Sequence, residues 1–173
     1  MKDKWDLRFK NLAMEVGEWS KDPSTKVGCI AVKDRKVIAT GYNGFPVNIS
    51  DSQDDYENRE IKLKKTIHAE KNLIYNACRH GVSLVGSTVY LTGLPTCDEC
   101  WKGLVQTGVV RVVMPKVETA KEEWRDGCKK AVEYMEEAGL EVYQYNPYQF
   151  GWERGKTDLP VEVPKINWDY NDS

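Results

Sequence analysis

The chain has 173 residues, 40% hydrophobic and 30% charged, with a formal net charge of −2. That composition suits one globular domain with its own core, and the lack of a basic excess argues against a nucleic-acid partner, though not against a single nucleotide. No run approaches the ~18 apolar residues of a membrane span, and "MKDKWDLRFKNLAMEV" lacks a signal peptide's apolar run, so a cytoplasmic, non-membrane chain with reduced thiols is expected.

Trp5, Phe9, Leu12, Val16 and Trp19 recur at steps of three and four and predict an amphipathic helix, ended by the turn-forming "SKDPST". "KVGCIAV" (26–32) and "KVIATGY" (36–42) read as a β-hairpin. "NGFP" opens a loop, and the charged "DSQDDYENREIKLKK" after it has little apolar face. "HAEKNLIYNACRHG" puts Ala69, Leu73 and Ala77 on one stripe, with Gly81 placed to end a helix. Then follow a strand at 87–93, a helix at 97–108, a strand at 109–115, a charged helix over about 119–138 and a last strand at 140–146. This order predicts a mixed sheet with helices on its faces and the last three strands parallel through right-handed crossovers.

Chemistry concentrates in two places. His68 is followed two residues later by Glu70, and Cys97 and Cys100 form a C-x-x-C at a helix start. One imidazole and two thiolates suit Zn2+, and their charge of −2 cancels that of the ion. A structural zinc takes four protein ligands, but no second pair is present. Cys29 lies in a β-run, Cys78 stands ten residues beyond His68, Cys128 lies in a charged helix, and His80 adjoins Gly81. The pattern therefore points to an open, catalytic site, with Glu70 as acid–base partner of a coordinated water. H-x-E with C-x-x-C is the signature of zinc-dependent base deaminases.

The segments "WSKDPSTKVGCIAV", "IATGYNGFP", "IHAEKNLI", "LTGLPTCDEC" and "GVVRVV" resemble the deoxycytidylate (dCMP) deaminases of the cytidine deaminase superfamily, across most of residues 5–115. The resemblance implies a three-layer α/β/α sandwich around a five-stranded mixed sheet, cytidine deaminase-like. The deaminase domain would span 1–146, and 147–173 would be an extension on the body, on a neighbouring subunit or partly disordered. It implies His68, Cys97 and Cys100 as ligands of one Zn2+, and attack at C4 of the cytosine ring. Glu70 would protonate N3 and then the departing amine, giving dUMP for dTMP synthesis. Asn43 would contact the sugar, Thr25 and Lys26 the phosphate, and Ala69 would border the substrate. It further implies a homo-oligomer, dimer to hexamer, controlled by dCTP and dTTP. Gly44, Phe45, Arg59, Lys62 and Lys64 would lie near the effector, with Mg2+ on the triphosphate; the other reading of those cations is a solvated helix face.

Two departures from the family pattern stand out. Thr96 occupies the place of the usual proline before the first cysteine, Pro95 being one residue earlier, and "PKVETAKEE" lacks the tyrosine that reaches the phosphate in some members. The alternatives are a sister deaminase for a modified dCMP, a free nucleoside or a nucleic-acid base, and a zinc-containing nucleotide sensor without turnover.

Overall fold

Alternation along the strands builds the layers. In β1 (Gly28–Lys33), Cys29 and Ala31 face one side while Ile30 and Val32 face the other. Val89 and Leu91 against Tyr90 in β3 (Thr88–Thr92), and Val112 and Met114 against Val113 in β4 (Arg111–Pro115), repeat the pattern. A strand buried on both faces needs helices on both sides, and the computed structural model, which describes residues 4–148, supplies them. With β2 (Lys36–Tyr42) and β5 (Glu141–Tyr145), the sheet runs in the order β2-β1-β3-β4-β5. β1 pairs antiparallel with β2 and β3, whereas β3–β4 and β4–β5 are parallel, as their helical connections predict. Five strands in a mixed sheet between helical layers match the expected sandwich.

α1 (Lys4–Glu18) covers one face through Phe9, Ala13 and Val16, which pack with Ile30, Tyr90, Val113 and Tyr145. The predicted seam is half right. Leu12 and Trp19 point outward at 42% and 54% exposure, and the buried stripe instead takes Asp6, Lys10 and Gly17. Asp6 accepts both Arg111 terminal nitrogens, at 2.7 and 2.8 Å, and the Tyr90 hydroxyl at 2.8 Å. A bidentate guanidinium and a phenol satisfy the carboxylate that apolar periodicity would have turned to solvent.

The opposite face carries α4 (Ala69–Arg79), α5 (Cys100–Gln106) and α6 (Glu122–Glu137), which enclose the larger core around Leu73, Leu91, Leu104, Val112, Met114 and Met135. α4 ends as read from Gly81, whose φ is +67°; the Val82 N–H returns to the Ala77 carbonyl at 2.8 Å. Asn72 and Asn76, one turn apart on α4, donate to the Tyr42 and Thr40 carbonyls of edge strand β2. They cap an edge otherwise open to pairing. A Cβ at Gly41 would collide with the Ala69 carbonyl and the Leu73 backbone, so glycine there lets α4 lie directly on β2.

The charged segment after β2 folds as two short capped helices, α2 (Gln53–Glu57) and α3 (Arg59–Lys65). Ser52 accepts from the Asp55 N–H, and Asn58 from the Glu60 and Ile61 N–H groups. α3 buries no residue, in keeping with its sequence. Of the proposed extension, only Pro147 and Tyr148 fall among the described residues.

Candidate functional site

Two chain reversals bring the chemistry together beyond the carboxyl end of β3, the edge where open α/β sheets place their sites. His68 sits at the N-cap of α4 without a side-chain capping bond, which leaves its ring free to point away from the helix. From β3 the chain passes Gly93 (φ +90°), where a Cβ would strike the Lys26 carbonyl, and reaches Cys97 in the turn before α5. Cys100 is the first residue of α5, and Cys97 precedes the helix instead of belonging to it, a correction to the predicted helix start. His68 Nδ1 stands 3.4 Å from each sulfur, and the three candidate ligand atoms lie within 4.8 Å of one another.

Zn–S distances of about 2.3 Å and Zn–N distances of about 2.0–2.1 Å fit inside such a triangle. The proton balance also calls for a cation. The hydrogen bond from Cys100, then the His68 ring, draws the Cys97 thiol down to about 4 against the cost of burial. Donating that bond, together with burial, pushes the Cys100 thiol up. The two sulfurs therefore share one proton, and a divalent ion would release it and hold both as thiolates. The pKa of His68 is raised, chiefly by its hydrogen bond to Cys97.

Glu70, 3% exposed, stands one residue into α4 beside this triangle. Burial first, and the Cys97 charge second, raise its pKa to about 7 in the metal-free protein, within reach of either protonation state near neutrality. Among the described residues no other His, Cys, Asp or Glu joins the triangle to close a four-ligand set. Cys29 and Cys128 are buried in the core, and Cys78 is exposed on α4.

The model of the cytidine and deoxycytidylate deaminase zinc-binding region matches residues 3–116 of this chain. The chain belongs to this deaminase family. It is 40% identical over 143 residues to an uncharacterized deaminase in the luxG 3′ region of Aliivibrio fischeri, covering 82% of this chain and 94% of that one. A probable deoxycytidylate deaminase of Drosophila melanogaster is 37% identical over 120 residues, 63% of this chain and 58% of the relative, so the chain spans little more than half of that protein's length. In fold it is similar to the cyanophage S-TIM5 dCMP deaminase solved with dCMP and dUMP, at TM-score 0.67 and 24% identity, covering 84% of this chain and 99% of that one. No helix among the described residues is long and apolar enough to cross a membrane.

The remaining candidate residues of this deaminase form a second layer of order. Asn43 is buried; its side-chain Oδ1 accepts from the Val27 N–H at 2.9 Å and its Nδ2 donates to the Thr25 carbonyl at 2.9 Å. Asn43 thereby shapes the loop that carries Thr25 and Lys26, while Lys26 Nζ reaches the Glu18 carbonyl at 3.0 Å. Ala69 is fully buried between His68 and Glu70. Phe45 stacks on Tyr56 at 4.2 Å, and Gly44 bridges to Ile67 just before His68. Arg59 pairs with Glu123 of α6, and Lys64 with Glu60, all four exposed.

Lys62 differs from its neighbours. Its ammonium donates to Asp22 Oδ1 at 2.8 Å and Ser24 Oγ at 2.6 Å, and its side chain is 17% exposed against 1% for Asp22. The same Asp22 oxygen accepts from the Ser24 and Thr25 N–H groups. The sequence shows Lys62 as one of several lysines on a polar helix, and the "DPST" turn as the single hint that Asp22 would be a buried acceptor. Trp101 packs on Tyr134 of α6 at 5.1 Å, which makes it part of the α5–α6 contact.

Proposed function

We propose that the protein hydrolyses dCMP to dUMP and ammonia, supplying dUMP for dTMP synthesis, with one zinc ion held by His68 Nδ1, Cys97 and Cys100. The observation that carries the reading is Glu70: a buried carboxyl, its pKa raised by burial in the metal-free protein, beside a three-ligand triangle with no fourth protein ligand among the described residues. When bound, zinc supplies Lewis acidity and lowers the pKa of coordinated water to about 7. Glu70 accepts a proton in its ionised form and delivers it to ring N3. It then carries a second to the exocyclic amine as the C4–N bond breaks, so that water and dCMP become dUMP and ammonia. A sensor that only binds nucleotide has no use for a carboxyl so placed.

The phosphate falls to the loop of residues 20–27, with Thr25 and Lys26 approaching it and Asn43 near the sugar. Lys62 acts one step back, by holding Asp22 and hence the loop's N–H groups in place. Replacing Lys62 with Met should raise KM for dCMP about tenfold, equivalent to about 1.4 kcal/mol. kcat should change little, because the loop holds the phosphate alike in ground and transition states. The same variant should leave KM for deoxycytidine, which lacks the phosphate, nearly unchanged. An equal rise for both compounds would remove the loop from phosphate binding.

Control by dCTP and dTTP in a homo-oligomer, with Mg2+ on the triphosphate, belongs to the same proposal. Arg59 and Lys64 hold only exposed carboxylates, pairs worth about 1 kcal/mol or less, which a triphosphate can displace. The deciding experiment is a deamination panel on the zinc-loaded protein: dCMP, CMP, dCTP, deoxycytidine and 5-substituted dCMP, with and without dCTP and dTTP. dCMP is expected to give the highest kcat/KM. Turnover of deoxycytidine with dCMP inert would overturn the substrate assignment.

A further inference from the structure

α1 carries a row of large side chains that the core does not absorb. Trp5, Leu12 and Trp19 stand seven residues apart along one side of the helix, the last in the turn that ends it, and Leu12 and Trp19 are exposed. The β1–β2 hairpin extends this face at both ends. Arg35, in the hairpin turn at φ +59°, lies 5.1 Å from the centre of the Trp5 ring, and the exposed Tyr42 meets Trp19 edge-on at 6.1 Å. Single exposed apolar residues are ordinary, but an ordered row with aromatic neighbours marks a surface for a partner.

The charges beside the row select that partner. Lys4 and Arg8, the latter 4.8 Å from the Trp5 ring centre, are exposed at the start of α1, and Glu15 and Glu18 are exposed in its last turn. The helix dipole prefers the reverse, acids first and bases last. Asp6, the acid of the first turn, is turned inward to Arg111. Charges set against their own helix are matched by an antiparallel copy of it, in which the basic end of one helix lies on the acidic end of the other. The row shares that symmetry. With Leu12 on a twofold axis, Trp5 comes opposite Trp19 of the partner subunit, and Arg8 opposite Glu15 of the partner subunit.

We propose that two copies of this chain associate through α1, antiparallel and with Leu12 at the axis. This gives the homo-oligomer proposed above a contact surface. It needs no part of the deamination reading, whose failure would leave it standing. α1 packs on the sheet face opposite α4 and α5, which carry the zinc ligands, so variants of this surface should bind zinc as wild type does.

Sedimentation of the full chain over a dilution series is the test, and wild type should self-associate. Leu12→Glu sets two carboxylates against each other at the axis and should weaken association at least ~100-fold. Arg8→Glu and Glu15→Arg each turn two opposite-charge contacts into like-charge ones, and each should weaken it about tenfold. Combining them exchanges both signs and should return association to within about threefold of wild type. Mixed in equal amounts, the two single variants should bind each other more tightly than either binds itself, since one then presents only acids and the other only bases. All three positions are exposed, so circular dichroism should match wild type throughout. A wild type that stays monomeric at every concentration would overturn the proposal. Undiminished association in Leu12→Glu would also overturn it, assigning the face to residues 149–173 or to a different protein. A mixture of the single variants that associates no better than each alone would remove the antiparallel register, a result that stands even if Leu12→Glu does not fold.

Discussion

Replacing Glu70 with Gln is expected to reduce dCMP turnover by at least ~10³-fold while zinc stays bound, since general acid–base groups are worth about 10² to 10⁴ and Glu70 serves two transfers. Glutamine keeps the size and the helical position but can neither take nor release a proton near neutrality. The substitution also has a stability signature of known sign. The folded metal-free protein holds the Glu70 proton up to about 7, against 4.5 for an ordinary glutamate. Between those values the unfolded chain has lost the proton and the folded chain has not, so stability falls as pH rises through this window and levels off above it. Glu70→Gln removes that loss. Urea midpoints of the metal-free proteins should therefore differ more at pH ~8 than at pH ~5, with the variant the more stable at the higher pH. Turnover within a few-fold of wild type would remove Glu70 from the chemistry. A variant without zinc would make it a structural support of the ligands instead.

Much of this was legible in the sequence, for physical reasons that also mark the limits. Strand alternation and helical connections fix the parallel order of β3, β4 and β5, because a crossover leaves no other direction. His68, Cys97 and Cys100 could be joined because metal ligands must converge whatever their separation along the chain. Periodicity failed on α1, where Asp6 and Lys10 took core positions while Leu12 and Trp19 did not. Asp6 is buried because Arg111, 105 residues away, arrives from β4 as a bidentate partner, and nothing local announces that meeting. The charge of Lys62 was equally ambiguous, its role resting on Asp22, 40 residues before it. Thr96 read as a missing proline, and its unpaired hydroxyl became visible only once the turn had a three-dimensional surrounding.

That asymmetry between ligands and supports bears on what loss of the metal should do. His68 comes from the start of α4, and the two cysteines from the turn into α5, so the ion would tie two helices that otherwise meet through apolar side chains. The core does not depend on it. Leu73, Leu104, Met114 and Met135 are buried on one face of the sheet, and Phe9, Ile30 and Val113 on the other, without any ligand among them. Cys97→Ser should therefore keep its secondary structure and lower zinc affinity more than ~100-fold, beyond the effect of losing an outer hydrogen-bond partner of a ligand. Turnover should fall in proportion to the zinc that remains. Stripping wild type with a chelator should lower its melting temperature by about 5 to 10 °C relative to zinc at a hundredfold excess over Kd, worth about 2.7 kcal/mol. Zinc added back should restore both stability and turnover. Cys78→Ser, on the exposed side of α4, is the matched control and should bind zinc as wild type does. Stoichiometric zinc in Cys97→Ser would move the metal away from this triangle. Unfolding on chelation would make it a structural ion, and the three-ligand geometry around Glu70 would then need a different explanation.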